Sequence, residues 1–223
     1  MKGKAYFLSK AQENFPKLRY RNITTDINEF IGSNGDSILL DFGEHMVGHF
    51  SFAFDKANTF VDAPVRLIIK FGEDMREMND DFSQYNGVLS KTWLQEEIIN
   101  LDFPQKITMH RRYACRYIKI TVDRTTRPIR LFDFSFRAST SADVSALKPI
   151  NSNDALLNKI DIVATNTLKE CMQTFLEDGP KRDRRLWIGD LRLEALANYY
   201  TFNNLEIVKR CLYLFAAGEC NNL

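Results

Sequence analysis

Near residue 145 the spacing of apolar residues in this chain switches from alternation to helical periodicity, and that switch limits it to a β part followed by an α part. Before the switch, short runs rich in aromatic and β-branched residues are separated by turn residues. They predict strands over residues 37–42, 47–54, 65–71, 105–109, 117–122 and 129–137, with one more short strand near 92–99 inside a charged loop over 72–100. Phe50, Phe52 and Phe54 occupy every second position, which puts three rings on one face of a strand, and Phe132, Phe134 and Phe136 repeat the device. Such stripes can serve as sugar-stacking platforms, but the inner face of an antiparallel sandwich needs the same alternation and is the reading favoured here. Asn34-Gly35-Asp36 and Asn86-Gly87 supply turn chemistry between runs.

After Pro149 the apolar residues fall at 156, 157, 160, 163, 164, 168, 171, 172, 175 and 176, which predicts one helix of about six turns with a single buried stripe, capped from within residues 150–154. A second helix is predicted to begin at Asp190 as its cap and to carry Leu191, Leu193, Leu196, Ala197 and Tyr200. A third starts near Asn204, carries Leu205, Val208, Cys211, Leu212 and Phe215, and ends at Gly218. Three such helices do not close a bundle, so their apolar faces call for further partners. The expected organisation is a β-sandwich domain over residues 1–147, jelly-roll-like, and a helical part over 148–223.

Composition narrows the partners. Thirty basic against twenty-nine acidic residues give a net charge of +1, which supplies no general attraction to nucleic acid or to an anionic membrane. No run approaches the roughly 18 apolar residues needed to cross a bilayer, and the N-terminus has no signal-peptide core, so a soluble, cytoplasmic protein is expected. Four scattered cysteines (Cys115, Cys171, Cys211, Cys220) and three histidines (His45, His49, His110) offer no metal-ligand spacing, and no phosphate-binding glycine loop is present. No cofactor and no metal are expected.

The richest stretch runs from Phe175 to Asp190, where Asp178, Asp183 and Asp190 are interleaved with Arg182, Arg184, Arg185 and Trp187. A solvated interhelical connection, its charges paired and its Trp tucked into the core, would use the same residue types. A sugar site would use them differently. Glycoside cleavage needs one carboxyl group to protonate the departing oxygen and a second to activate water or attack the anomeric carbon. Arginines hold neighbouring carboxylates ionised, Trp offers an apolar wall to a sugar ring, and Asp and Arg each engage two hydroxyls. Lys181–Arg185 as a nucleic-acid contact is disfavoured, because Asp183 interrupts it and further acids flank it.

This segment resembles the signature D-C-P-x-R-E-R-L-G-W-x-G-D of family 78 glycoside hydrolases, the α-L-rhamnosidases: Asp178, Pro180, Arg182, Arg184, Trp187, Gly189 and Asp190 match at the same spacing. Upstream, the residues over 40–48 resemble the family's D-F-G-x-N-M-V-G strand, those over 65–74 its following strand, and those over 116–120 its F-R-Y-V-x-V strand, all in family order. The resemblance implies that the three helices open an (α/α)6 barrel that this sequence leaves unfinished. It implies inverting hydrolysis of a terminal α-L-rhamnoside or a related sugar, with Asp183 as proton donor, Asp178 and Asp190 holding hydroxyls, Trp187 near the ring and Arg182 orienting the carboxylates. The base would come from a later part of the barrel, so the chain alone is expected to be inactive, and its unpartnered helical faces to favour self-association. Two departures stand out: Asp183 occupies the usual Glu position, one methylene shorter, and Gly179 replaces the Cys after the first Asp. A non-catalytic carbohydrate-binding sandwich is the competing class.

Overall fold

The computed structural model describes residues 2–57 and 63–218, which form two compact units: Arg21–Ala138, and Met1–Tyr20 together with Ser139–Leu223. The first is built on an antiparallel, sandwich-like sheet. Its strands are β1 (Arg19–Thr24), β2 (Glu29–Gly32), β3 (Ser37–Lys56), β4 (Val65–Gly72), β5 (Gln95–Leu101), β6 (Gln105–Thr108), β7 (Tyr113–Arg124) and β8 (Ile129–Thr140), in the order β1-β8-β3-β7-β4-β5 with β2 on β8 and β6 on β3. A short helix, α2 (Met75–Asn79), opens the charged stretch after β4 with a reciprocal capping box between Asp74 and Glu77. Neither β1 nor β2 was expected, since β1 is mostly polar and β2 has only four residues, too few for alternation to be seen.

The runs expected as two strands over 37–42 and 47–54 are one strand, β3, with a bulge in its middle. Pairing with β7 jumps from Asp41↔Tyr117 to Met46↔Cys115, so three extra residues loop out on β3. Gly43 takes the turn at φ 77°, and its N–H donates to the Asp41 carboxylate at 2.8 Å. The same carboxylate receives both arms of Arg116 at 2.8 Å each, and that guanidinium holds it below the usual carboxylate range.

Beyond the bulge β3 exchanges partners, pairing with β8 from Gly48 onward and with β6 over Ser51–Phe54. The two chains approach closely there. A Cβ at Gly48 would meet the carbonyl oxygen of Arg137 and lie 2.8 Å from the Cα of Ala138, so only glycine fits.

Phe50, Phe52 and Phe54 are 0%, 0% and 2% exposed, which makes the first stripe the core face. Phe50 meets Phe42 and Phe71 edge-on and stacks on Phe52. The second stripe is broken. Between Ser51↔Ser135 and Ala53↔Phe132 the β8 strand carries one extra residue, and Asp133 sits there at φ 54°. Ile129 and Leu131 are buried before this bulge and Phe134 and Phe136 after it, while Phe132 turns to the other face beneath the Arg130 guanidinium, 4.3 Å from its ring centroid.

The second unit begins with a helix, α1 (Lys2–Glu13), for which the sequence carried no strong periodicity. It lies against α5 (Leu205–Ala217), where Arg210 donates to the Ala11 carbonyl at 2.6 Å and covers the Phe15 ring. The remaining helices are α3 (Ala155–Cys171) and α4 (Ile188–Tyr200). Their small core gathers Leu168, Met172, Leu176, Leu191, Ala195, Phe202, Ile207, Val208 and Cys211. Asp154 caps α3 and Asn204 caps α5, as the caps sought in those loops required.

The helices differ in detail from the expectation. Helix α3 stops at Cys171, not Leu176. Its stripe is buried only toward the C-terminus, at Leu168 and Cys171, while Leu156, Ile160 and Val163 are more than half exposed. Helix α4 is capped at Trp187 without a side-chain bond, so Asp190 stands in its first turn, where a negative charge favours the helix dipole. Leu193, Leu196 and Tyr200, on the face expected to need further partners, are 68%, 50% and 90% exposed. Among the described residues no helix is long and apolar enough to cross a membrane.

Phe50→Ala should cost about 3–5 kcal/mol of unfolding free energy, and Gly48→Ala about 2–3 kcal/mol through backbone displacement. Phe132→Ala should cost under about 1 kcal/mol, being a half-exposed ring. Urea unfolding of the three variants beside the parent measures the ranking.

Candidate active site

The stretch from the end of α3 into the first turn of α4 holds every site residue singled out above, and its geometry starts with the way α3 is stopped. After Cys171 the chain reverses: Met172 bridges Leu176, and the N–H of Glu177 donates back to the Cys171 carbonyl at 3.0 Å. The side chain of Gln173, 1% exposed, secures this reversal by donating to the carbonyls of Ser139 and Glu170 (2.8 and 2.9 Å) and accepting from the Ser139 hydroxyl (3.1 Å). The N–H of Leu176 points to the sulfur of Cys211 on α5 at 3.4 Å. A continuing helix would have carried Asp178 away along its axis. The reversal keeps it beside the end of α3 instead.

From Asp178 the chain makes a closed loop. The N–H of Asp178 donates to the Arg185 carbonyl at 3.0 Å, and the N–H of Arg185 donates to the Asp178 carboxylate at 2.9 Å. Inside the loop, Arg184 adopts φ 51°, its N–H donates to Gly179 O at 3.1 Å, and its Nε donates to Pro180 O at 2.7 Å. Arg182 Nε lies 3.3 Å from Asp183 Oδ1. The Trp187 ring is 47% exposed, not tucked into the core, with the Arg185 guanidinium 5.9 Å from its centroid. Leu186 is the loop residue that joins the core.

The charges of Asp178 and Asp190 both act on one residue that the sequence reading missed. Glu194 lies one turn beyond Asp190 on α4. Its carboxyl group is pushed up to about 7, first by burial, then by the charges of Asp190 and Asp178 and by Glu177, against a hydrogen bond from the Cys171 thiol that draws it down. Its Oε2 is buried and has no hydrogen-bond partner among the described residues. The thiol itself is pushed up to about 12 by burial and by Glu194, Glu177 and Glu170, so it remains a donor. The signal for Glu194 was available: an acid four residues after Asp190 shares its face of a helix. Asp183 is paired with Arg182.

The three described cysteines, Cys115, Cys171 and Cys211, are buried thiols, and Cys220 lies outside the described residues. His45 Nε2, in the β3 bulge, lies 2.9 Å from a Glu73 carboxylate oxygen.

Comparison with known proteins agrees with the motif. Residues 8–141 match the glycosyl hydrolase family 78 alpha-rhamnosidase N-terminal domain, and residues 146–222 match the bacterial alpha-L-rhamnosidase 6 hairpin glycosidase domain. The chain belongs to glycosyl hydrolase family 78. A rhamnosidase from Klebsiella oxytoca, solved with rhamnose bound, superposes with a TM-score of 0.88 at 38% identity, covering 96% of this chain and 47% of that one. The family 78 rhamnosidase of Bacillus sp. GL1 superposes with a TM-score of 0.64 at 27% identity, over 79% of this chain and 17% of that one. The family 78 chain therefore spans less than half the length of either. No curated protein matches it.

The raised Glu194 gives a stability prediction. Its folded value of about 7 lies above the ordinary 4.5, so between those values the folded chain retains a proton that the unfolded chain has lost. Stability therefore falls as pH rises through that window and is level above it. Glu194→Gln, which cannot ionise, should melt higher than the parent at pH 8 and at the same temperature at pH 4. Thermal unfolding by circular dichroism at both values checks the difference.

Proposed function

We propose that this chain is the N-terminal portion of an inverting α-L-rhamnosidase, acting on a terminal α-L-rhamnoside or a closely related sugar. The observation that carries this reading is the match to both family domains, with the motif from Asp178 to Asp190 running from just after α3 into the first turn of α4 and Trp187 exposed within it. Two carboxylates accept hydrogen bonds from neighbouring sugar hydroxyls, and the indole face covers the apolar side of the ring. Rhamnose enters the argument through the Klebsiella oxytoca relative, which was solved with it bound.

In this reading Asp183 donates the proton to the departing glycosidic oxygen, and Arg182, 3.3 Å away, fixes the carboxyl group's direction. Inversion requires a second carboxylate on the opposite face of the sugar, separated widely enough to admit water. That base belongs to helices completing an (α/α)6 barrel, and the exposed Leu156, Ile160 and Val163 of α3 and Leu193 and Leu196 of α4 are where such helices would pack. Without them the 223 residues bind sugar but do not turn it over, and the same apolar residues draw copies of the chain together.

The test is hydrolysis of an aryl glycoside panel, α-L-rhamnoside included, by the longer protein carrying this chain, beside its Asp183→Asn variant. Rhamnoside turnover should fall by about a hundredfold or more in the variant, and the isolated chain should show none. Turnover of another sugar alone, or full activity in the variant, would sink the assignment. Light scattering of the isolated chain should show oligomers, and a clean monomer would remove the packing argument.

A further inference from the structure

Arg210, on α5, commits its guanidinium to two stretches of backbone that are far apart in the chain. Its Nε donates to the Thr174 carbonyl at 2.8 Å, and its Nη1 donates to the Ala11 carbonyl at 2.6 Å. Thr174 lies in the reversal after α3, and Ala11 lies in the last turn of α1. The Ala11 carbonyl needs such a donor. The N–H groups of Asn14 and Phe15, which could reach it along the chain, donate instead to Lys10 (3.2 Å) and Gln12 (3.1 Å). Ala11 is 2% exposed, so water is a poor substitute there. A cation at this helix end also meets the negative end of the dipole. The Phe15 ring covers the guanidinium, its centroid 4.5 Å away.

The next residue of α5 fastens the same reversal at a second point, since the Cys211 sulfur accepts from the Leu176 N–H at 3.4 Å. Around these two points the reversal is closed on itself by the Met172–Leu176 bridge and by the Glu177 N–H on the Cys171 carbonyl. A closed segment held at two points shifts as one body, and Asp178 is the residue at its exit. We propose that Arg210 is a positioning residue for the sugar site: it ties the reversal that carries Asp178 to the end of α1, so that the N-terminal helix braces the loop. This role rests on the reading of Asp178 as a sugar ligand. It requires arginine in particular, because a planar fork can serve two carbonyls at once, whereas a lysine offers a single point charge.

Removing the fork leaves the Thr174 carbonyl without this donor and lets the reversal shift. A contact that Asp178 makes to a hydroxyl in the bound substrate weakens as a result, and such a loss is read first in KM. A residue with a merely structural role lowers the number of folded molecules instead. That reduces kcat per mass of protein and leaves the KM of the remainder unchanged.

The experiment is steady-state hydrolysis of an aryl α-L-rhamnoside by the longer protein carrying this chain, for the parent, Arg210→Ala, Phe15→Ala and the double variant. In Arg210→Ala, KM should rise about tenfold while kcat falls by a smaller factor. Guanidinium chloride, added below denaturing concentrations, should return KM toward the parent value in that variant and do nothing to the parent. Phe15→Ala, which uncovers the same guanidinium, should raise KM about threefold. The double variant should be no worse than Arg210→Ala, because both changes act through one group. Phe15 is 43% exposed, so its variant carries the test if Arg210→Ala does not fold. With an active parent, an unchanged KM in either folded variant, a rise that guanidinium does not reverse, or additive effects in the double variant overturns the role of Arg210 and leaves the sugar site standing. A parent that does not turn over the rhamnoside overturns both.

Discussion

Carboxyl groups gathered in a partly buried neighbourhood cannot all be ionised without cost, and the candidate site of this chain is organised around that constraint. Asp178 and Asp190 are the outer members, and the Asp178 carboxylate has the backbone N–H of Arg185 as a donor. Glu194 is the inner member, with a carboxyl group shifted to about 7 by burial and by its neighbours. The arrangement separates roles by environment, as happens wherever one residue type must serve both as acceptor and as proton holder. Burial selects which carboxyl group gives way, and helix geometry selects which one is buried.

That separation depends on a local act of folding, the stopping of α3 at Cys171. Apolar spacing alone would carry the helix on through Leu176, and every residue there is compatible with it. What stops it is tertiary. Gln173 spends its side-chain amide on Ser139 and Glu170, and the Met172 carbonyl accepts from the Ser141 N–H at 2.7 Å, bonds that a straight helix could not make. Removing a buried amide of this kind would leave several backbone carbonyls short of donors, which costs more than the bonds contribute when formed. The buried polar residue and the site are therefore parts of one device.

The legibility of the sequence follows from where information of this sort is stored. The sandwich could be read because alternation is local: Phe50, Phe52 and Phe54 declare their face within six residues. The bulge at Asp133 could not, since a residue at φ 54° leaves the same letters in the same order and only changes which of them face inward. Likewise the motif from Asp178 to Asp190 was visible as a run, whereas Glu194 became a member only when α4 wound it back beneath Asp190. Helix α1 and the first two strands went unread because short, polar elements gain their stability from neighbours and not from their own pattern.

The loop's closure bears on the departure at position 183. Two hydrogen bonds between Asp178 and Arg185 shut the loop at its base, and the bonds from Arg184 to Gly179 and Pro180 stiffen its interior. Asp183 lies within that closed segment, beside Arg182. A Glu-to-Asp change there shortens the reach of one carboxyl group by a methylene without moving either end of the loop. In the proposed reading, sugar binding through Asp178 and Asp190 is insulated from the change, while proton transfer, which tolerates displacement of only about 1 Å before losing roughly a hundredfold in rate, is not. On that reading the means of holding a sugar is independent of the means of cleaving it, and the second can change while the first is preserved.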